Sequence, residues 1–310
     1  MYIFEMTDAS PSLIKPKRLL PGGVIGVAAP SGPYKVDEFK KGIAVLRDMG
    51  FRVRVPENLQ QPESFLAASD EHRVKLLKDL FKDPGVSAIV CARGGYGAMR
   101  VLERLDYDVI RSNPKSFVGF SDISALHAAI IAQAGLVVFH GPMVASLGKS
   151  DQRTRESFLQ SLTTDQLMDV QSDDPILIHP GISTGVVAGG NMATLCHLLG
   201  TSFAPIYRGC IVLLEDTSEA PYKIDRMLIQ MKMAGSFDGI KGVALGSFHD
   251  CGSYQEICDI VGDIFKEFNV PVLAGFAIGH NGTNLTIPLG LKATLDTEKG
   301  SLQFNEPATI

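Results

Sequence analysis

Apolar positions along the chain fall into short uniform runs separated by longer amphipathic stretches. Residues 24–29 (VIGVAA) are apolar throughout and stop at Pro30-Ser31-Gly32-Pro33, which predicts a buried strand. Phe39, Ile43, Val45, Leu46 and Met49 then recur at helical spacing up to Gly50, predicting a helix over 36–49. Residues 51–55 alternate as a second strand, and 71–81 read as a helix closed by Asp83-Pro84-Gly85. A third strand, 86–91, runs into Arg93-Gly94-Gly95-Tyr96-Gly97, followed by a short helix over 98–105. The fourth strand, 116–120, turns at Ser121-Asp122 into an apolar helix reaching about 134, and a fifth, 136–139, ends at His140-Gly141-Pro142. Strands alternating with helices at this rhythm predict βα units and a mainly parallel sheet covered on both faces. In such a sheet ligands bind at the carboxyl ends of the strands.

A polar stretch from about 149 to 180, broken at Ser150-Asp151, Thr163-Thr164-Asp165 and Ser172-Asp173-Asp174-Pro175, is expected to be a junction between domains over 1–165 and 180–310. Beyond it, Gly189-Gly190-Asn191 leads a helix through Leu199, and 210–214 is a strand ending on Glu215-Asp216. A helix over 221–233 with proline near its start, a strand over 243–248 and a helix over 257–268 follow. Residues 272–278 lead into Gly279-His280-Asn281-Gly282. The segments 285–288, 291–296 and 302–305 read as strands of a small barrel or mixed sheet.

With 310 residues the chain exceeds one comfortable core, and 45% hydrophobic with 20% charged residues is a globular composition. A net charge of −5 makes no electrostatic case for nucleic acid or anionic lipid. Five scattered cysteines, none in C-x-x-C spacing, suggest free thiols in a reducing compartment. Glu5 and Asp8 stand where a signal peptide would be cationic and then apolar, and no apolar run is long enough to span a bilayer. A soluble cytoplasmic protein is therefore expected.

Chemistry concentrates at the turn carrying Ser121. A serine between a strand and a helix has its hydroxyl at the sheet edge, beside unpaired backbone N–H groups of the following helix. That arrangement suits a nucleophile and its oxyanion; it equally suits a serine capping the helix. Gly94-Gly95 lacks both P-loop and dinucleotide spacing, leaving a loop whose amides approach a substrate, or a plain turn. For a general base, His72 reads as solvated, His127 and His197 as satisfied helical histidines, His179 as connector and His249 as turn. His140 and His280 remain, at strand ends among glycines. Glu215 is the strongest carboxylate, ending a wholly apolar strand; a structural role, paired with Lys223 or Arg226, competes. Asp122 is too near Ser121 in sequence to reach around a histidine easily.

Ala28-Ala29-Pro30-Ser31-Gly32, Arg93-Gly94-Gly95-Tyr96-Gly97, Gly119-Phe120-Ser121-Asp122-Ile123-Ser124, Phe139-His140-Gly141-Pro142-Met143, Gly189-Gly190-Asn191, Leu214-Glu215-Asp216 and Gly279-His280 come in an order that resembles the LD-carboxypeptidase family of serine peptidases, which includes microcin self-immunity proteins. The resemblance implies an N-terminal Rossmann- or flavodoxin-like α/β domain and a smaller mixed, barrel-like C-terminal domain. It implies Ser121 as nucleophile, His280 as base and Glu215 as its orienting acid, with an oxyanion hole from the backbone of Gly95 and Asp122. The implied reaction is release of the terminal D-residue (D-Ala) from a murein-derived peptide in peptidoglycan recycling, with no metal or cofactor and no nucleic-acid or membrane partner. A homodimer is left open. The self-immunity branch, acting on acylated nucleotide-like toxins, is the functional alternative; the short Asp216–Pro221 segment and the absence of tryptophan favour murein. Three rivals come from other classes: an α/β-hydrolase, against which Ile123 stands in place of glycine; an amidotransferase using Cys91; and a non-enzymatic two-domain binding protein.

Overall fold

The structure, a computed structural model, describes residues 13–310; the expectation resting on Glu5 and Asp8 lies outside them. The chain forms two compact units, the first of residues 13–165 with 285–288 and 308–310, the second of 166–284 with 289–307.

In the first unit the apolar runs become β1 (Val24–Ala28), β2 (Arg52–Arg54), β3 (Ala88–Cys91), β4 (Ser116–Gly119) and β5 (Val138–His140), lying in the order β2-β1-β3-β4-β5 with every neighbouring pair parallel. Both faces are covered, so β1, β3, β4 and β5 are buried at every position. The edge strand β2 keeps Arg52 and Arg54 exposed, which accounts for its alternating sequence and discourages pairing with other chains. Helices Val36–Asp48, Asp70–Lys82, Tyr107–Ser112 and Ser124–Ala134 lie in the four crossovers. The strand order is the flavodoxin-like one, in keeping with the architecture that the family resemblance implies.

The polar stretch expected to be a linker is largely regular. Asp151 caps a helix, Gln152–Thr163, by accepting from Thr154 N at 2.8 Å, and that helix buries Thr154, Phe158, Ser161 and Leu162. Against it lies a returning segment of the C-terminal half. Ile287–Leu289 joins the sheet beside β5, with Thr286 N donating to Ser157 Oγ at 3.0 Å and Ser161 Oγ to Thr286 O at 3.1 Å. The last residues also return, Ile310 N donating to Pro16 O at 3.1 Å.

The second unit contains β6 (Asp169–Gln171), β7 (Ile176–His179), β8 (Ile182–Asn191), β9 (Cys210–Thr217), β10 (Gly242–His249) and β11 (Val272–Ala274). Parallel β8-β9-β10-β11 form its centre, with β7 antiparallel on β11. On the other side Lys292–Asp296, Ser301–Phe304 and β6 follow, each antiparallel to its neighbour. Ser172, just past β6, donates from its N to Gly300 O at 2.8 Å and from Oγ to Ala274 O at 3.0 Å. It thus bonds to both sides of the sheet, which gives the mixed, barrel-like curl. Leu214, Leu245, Ile224, Leu228, Ile257 and Val261 share one core under helices Pro221–Met233 and Tyr254–Phe265. The helix expected through Leu199 is shorter, Met192–Cys196, and β11 ends at Ala274 because Gly275 adopts φ 95°.

Candidate active site

From β1 the chain goes to β2 on one side and, after its next helix, to β3 on the other, so the topological switch point lies between β1 and β3. The loops leaving these strands meet there: Gly32 N donates to Gly94 O at 3.0 Å. Ser121 follows β4, with φ 64° in the left-handed region, a conformation that costs a non-glycine residue about 1–2 kcal/mol. Such strain is characteristic of a strand-to-helix turn that projects a hydroxyl. Ile123 packs back over Gly119, where an added Cβ would stand 2.7 Å from Ile123 Cγ2. The crowding of this turn therefore falls on the position two before the serine, which is glycine, and an isoleucine two after it is accommodated.

Gly94 faces the serine: a Cβ there would lie 3.0 Å from Ser121 Cβ and 3.2 Å from its Oγ. Gly95 has φ 103°, reached freely only by glycine, and an added Cβ would meet nothing closer than 3.5 Å. Gly94 is thus required for space and Gly95 for conformation. Asp122 is buried and uses its carboxylate structurally. Its Oδ2 accepts from Ser31 Oγ and, at 2.8 Å, from Ala98 N, joining the loops after β1 and β3 to that after β4. Burial raises its pKa, against those hydrogen bonds and the Arg73 charge. Arg73, also buried, donates to Pro30 O, to Gly97 O at 2.9 Å, to Ala68 O at 3.1 Å and to Asp70 at 2.5 Å. These two residues fasten the switch-point loops.

In the second unit, β9 ends with adjacent carboxylates on opposite faces. Asp216 accepts from Ala193 N at 2.8 Å, from Asn191 Nδ2 at 2.9 Å and from Thr217 N at 2.8 Å; Asn191 Oδ1 in turn caps Thr194 N at 3.0 Å. Burial and the neighbouring Glu215 push the Asp216 carboxyl up to about 6. Glu215, fully buried, accepts from His280 Nδ1 at 2.7 Å through Oε2. Burial by itself would lower the His280 pKa, but the hydrogen bond and charge of Glu215, with Asp216 beyond, hold it above the ordinary value.

Glycines make room for that carboxylate. An added Cβ would fall 2.4 Å from Glu215 Oε2 at Gly279, whose φ is 113°, and 3.1 Å from Glu215 Cβ at Gly246. A bulge in β10 sets Gly246 and Ser247 opposite Glu215, fixed by the Tyr254 hydroxyl donating to Gly246 O at 2.9 Å. Lys223 pairs with Glu219 at 3.3 Å and Arg226 lies over the Tyr222 ring, so neither takes the structural role that competed for Glu215.

The remaining sequence candidates have other surroundings. Cys91 is completely buried in β3, and burial pushes its thiol far above the ordinary range; all five cysteines are free and buried. His72 Nε2 donates to Asn58 O at 2.8 Å, His197 is exposed beside Ala193 O at 2.6 Å, and His249 sits 3.3 Å from Asp250. His140 is completely buried at the end of β5. His127, expected to be a satisfied helical histidine, is buried with no hydrogen-bond partner on either ring nitrogen, and burial, then the nearby His140, holds its pKa well below the usual value. Arg73 and the side-chain role of Asp122 went unrecognised in the sequence. Arg73 shares the buried face of its helix with Asp70, Leu77, Leu80 and Phe81, so a cation at apolar spacing was the available signal. Among the described residues no group of three or more His, Cys, Asp or Glu is arranged to hold a metal ion, and no helix is long and apolar enough to cross a membrane.

Glycine 94 offers a direct check on the loop. Gly94→Ala places a methyl against the Ser121 hydroxyl; kcat is expected to fall by about 10²-fold, the scale of a small misplacement of reacting groups, with an unchanged melting curve. Steady-state kinetics and thermal denaturation of one variant test both halves of that expectation.

A serine at a strained strand-to-helix turn in one α/β unit, and a buried carboxylate on an imidazole in another, are features of hydrolytic enzymes. Models of the LD-carboxypeptidase N-terminal and C-terminal domains match residues 25–141 and 184–295. The chain belongs to the LD-carboxypeptidase family and is a serine-type peptidase of that class. A Bacillus subtilis protein named "probable murein peptide carboxypeptidase" is 35% identical over 292 residues, 91% of this chain and 92% of that one. The microcin C7 self-immunity protein of Escherichia coli is 29% identical over 338 residues, 97% of this chain and 98% of that one. The crystal structure of an MccF-like protein from Bacillus anthracis gives a TM-score of 0.88 at 31% identity, covering 94% of this chain and 99% of that one.

Proposed function

We propose that the protein removes the terminal D-amino acid from murein-derived tetrapeptide by cleaving an L,D-peptide bond, and does so in the cytoplasm during peptidoglycan recycling. The observation that carries this reading is the Glu215–His280 hydrogen bond of 2.7 Å, since a buried carboxylate on Nδ1 leaves Nε2 as the basic nitrogen. Ser121 is the nucleophile. As its Oγ bonds to the scissile carbonyl carbon, Nε2 of His280 takes the hydroxyl proton and the carbonyl oxygen becomes an oxyanion. The backbone amides of Gly95 and Asp122 stabilise that charge. Collapse breaks the C–N bond, the departing amine takes the proton from His280, and an acyl-enzyme remains. Water, deprotonated by the same imidazole, attacks the ester, and Ser121 leaves with the proton. Free buried thiols fit a reducing compartment, and the name of the Bacillus subtilis relative favours a murein peptide.

The similarity to the self-immunity protein favours a second substrate, an acylated nucleotide. Incubation with murein tetrapeptide and, separately, with an aminoacyl sulfamoyl adenosine, with products identified by mass, separates the two. Release of D-Ala from the tetrapeptide is expected. Cleavage of the nucleotide conjugate alone would move the protein to the self-immunity branch, and cleavage of neither would overturn the reading.

A further inference from the structure

A carboxypeptidase must recognise the free carboxylate one residue beyond the bond it breaks. We propose that the Arg93 guanidinium is the group that binds it, which makes Arg93 the determinant of exo- over endo-cleavage. This rests on the reading that Ser121 is the nucleophile. Arg93 stands two residues beyond β3, behind a backbone fixed on both sides: Ala92 N donates to Ala28 O at 2.7 Å, and Ala92 O accepts from Ala145 N at 3.0 Å. The guanidinium is itself held, Nη1 donating to Pro33 O at 2.6 Å across the mouth of the β1–β3 crevice.

It curls over the loop that faces the serine. Its Cζ is 3.8 Å from where a Cβ on Gly95 would be, and Ser121 Oγ is 3.2 Å from where one on Gly94 would be. Cation and hydroxyl therefore flank consecutive residues of one loop. The other cations of this edge are committed: Arg73 to three carbonyls and Asp70, Arg100 to both oxygens of Asp70 at 3.0 and 2.9 Å, and Lys149 to Glu38 at 2.7 Å. Lys35 also reaches Glu38, at 3.9 Å. Arg93 acts on Glu38 only through its charge and makes no salt bridge within 4 Å among the described residues, so its fork has N–H groups left for a bidentate carboxylate.

The test compares a tetrapeptide bearing a free terminal carboxylate with the same peptide capped as its terminal amide, for the wild type, Arg93→Ala, Arg93→Lys and Ser121→Ala. The wild type is expected to prefer the free acid. Arg93→Ala should lower kcat/KM for the acid by about 10²-fold, the cost of truncating one partner of a charge pair, and leave the amide within a few-fold. Arg93→Lys should recover part of the loss. Equal losses on acid and amide would show that the guanidinium serves the oxyanion or the fold instead, and an Arg93→Ala enzyme that still prefers the acid would overturn the assignment. Either result, with Ser121→Ala inactive, leaves the nucleophile reading standing. A wild type that releases the terminal residue from neither peptide overturns both.

Discussion

Replacing Ser121 with alanine is expected to reduce kcat by roughly 10⁴-fold or more, because both halves of the proposed acyl-transfer reaction pass through its oxygen. The melting curve should be preserved. Serine already occupies the left-handed turn at φ 64°, and alanine inherits the same strain without adding volume beside Gly94. The control is Cys91→Ala. Its thiol is completely buried in β3 and burial pushes its pKa up, which disfavours the thiolate that an amidotransferase needs, so kcat should stay within a few-fold. Full activity in Ser121→Ala with loss in Cys91→Ala would move the chemistry one strand over.

Glu215→Gln is expected to lower kcat by about 10³–10⁴-fold while KM changes little, since the charge that stabilises the forming imidazolium is gone but most of the hydrogen-bonding shape remains. The pH profile carries a second signature. In the proposed mechanism His280 must be neutral to accept the serine proton, so kcat/KM in the wild type is expected to rise with pH through a His280 value held above the ordinary one by Glu215. In the variant the hydrogen bond to a carboxylate and its charge are removed, burial persists, and the acid limb should move to lower pH. Stability moves with it. A histidine whose folded pKa is raised contributes fully below its unfolded value of about 6.5 and loses that contribution as pH rises through the folded value. The loss of melting temperature in Glu215→Gln should accordingly be larger at mildly acid than at alkaline pH. Near-normal kcat and an unmoved limb would remove Glu215 from the reaction and leave it a buried structural acid.

The first sheet is legible in the sequence because every strand but the edge strand β2 is buried on both faces, so runs such as VIGVA and AIVC carry no polar interruption. Glu215 is legible for a related reason. A carboxylate closing an apolar strand marks Glu215, whereas the pattern leaves both His140 and His280 among glycines and the family resemblance singles out His280, which meets Glu215 in the structure. Other features depend on distant contacts that local pattern does not encode. Helix Gln152–Thr163 hides among polar residues because Thr154 and Ser161 share its buried face with Phe158 and Leu162. The destination of residues 285–288 is set by Ser157 and Ser161, more than 120 positions away. Asp122 reads as a helix-start acid, and only the fold reveals that it ties Ser31 to Ala98.

The return of Ile287–Leu289 to the edge of β5 has a consequence for biosynthesis. A ribosome delivers β1 to β5 early, yet the strand that covers the last of them emerges only near the end of translation. Throughout that interval the nascent sheet has an open flank of unpaired N–H and C=O groups on a strand, Val138–His140, that is wholly apolar up to its final histidine. Such a flank is a template for misassembly. Synthesis of the second unit is thus the waiting time during which the first must be shielded, and truncations that stop short of residue 289 lose the cover of a sheet whose other five strands are all encoded before residue 141.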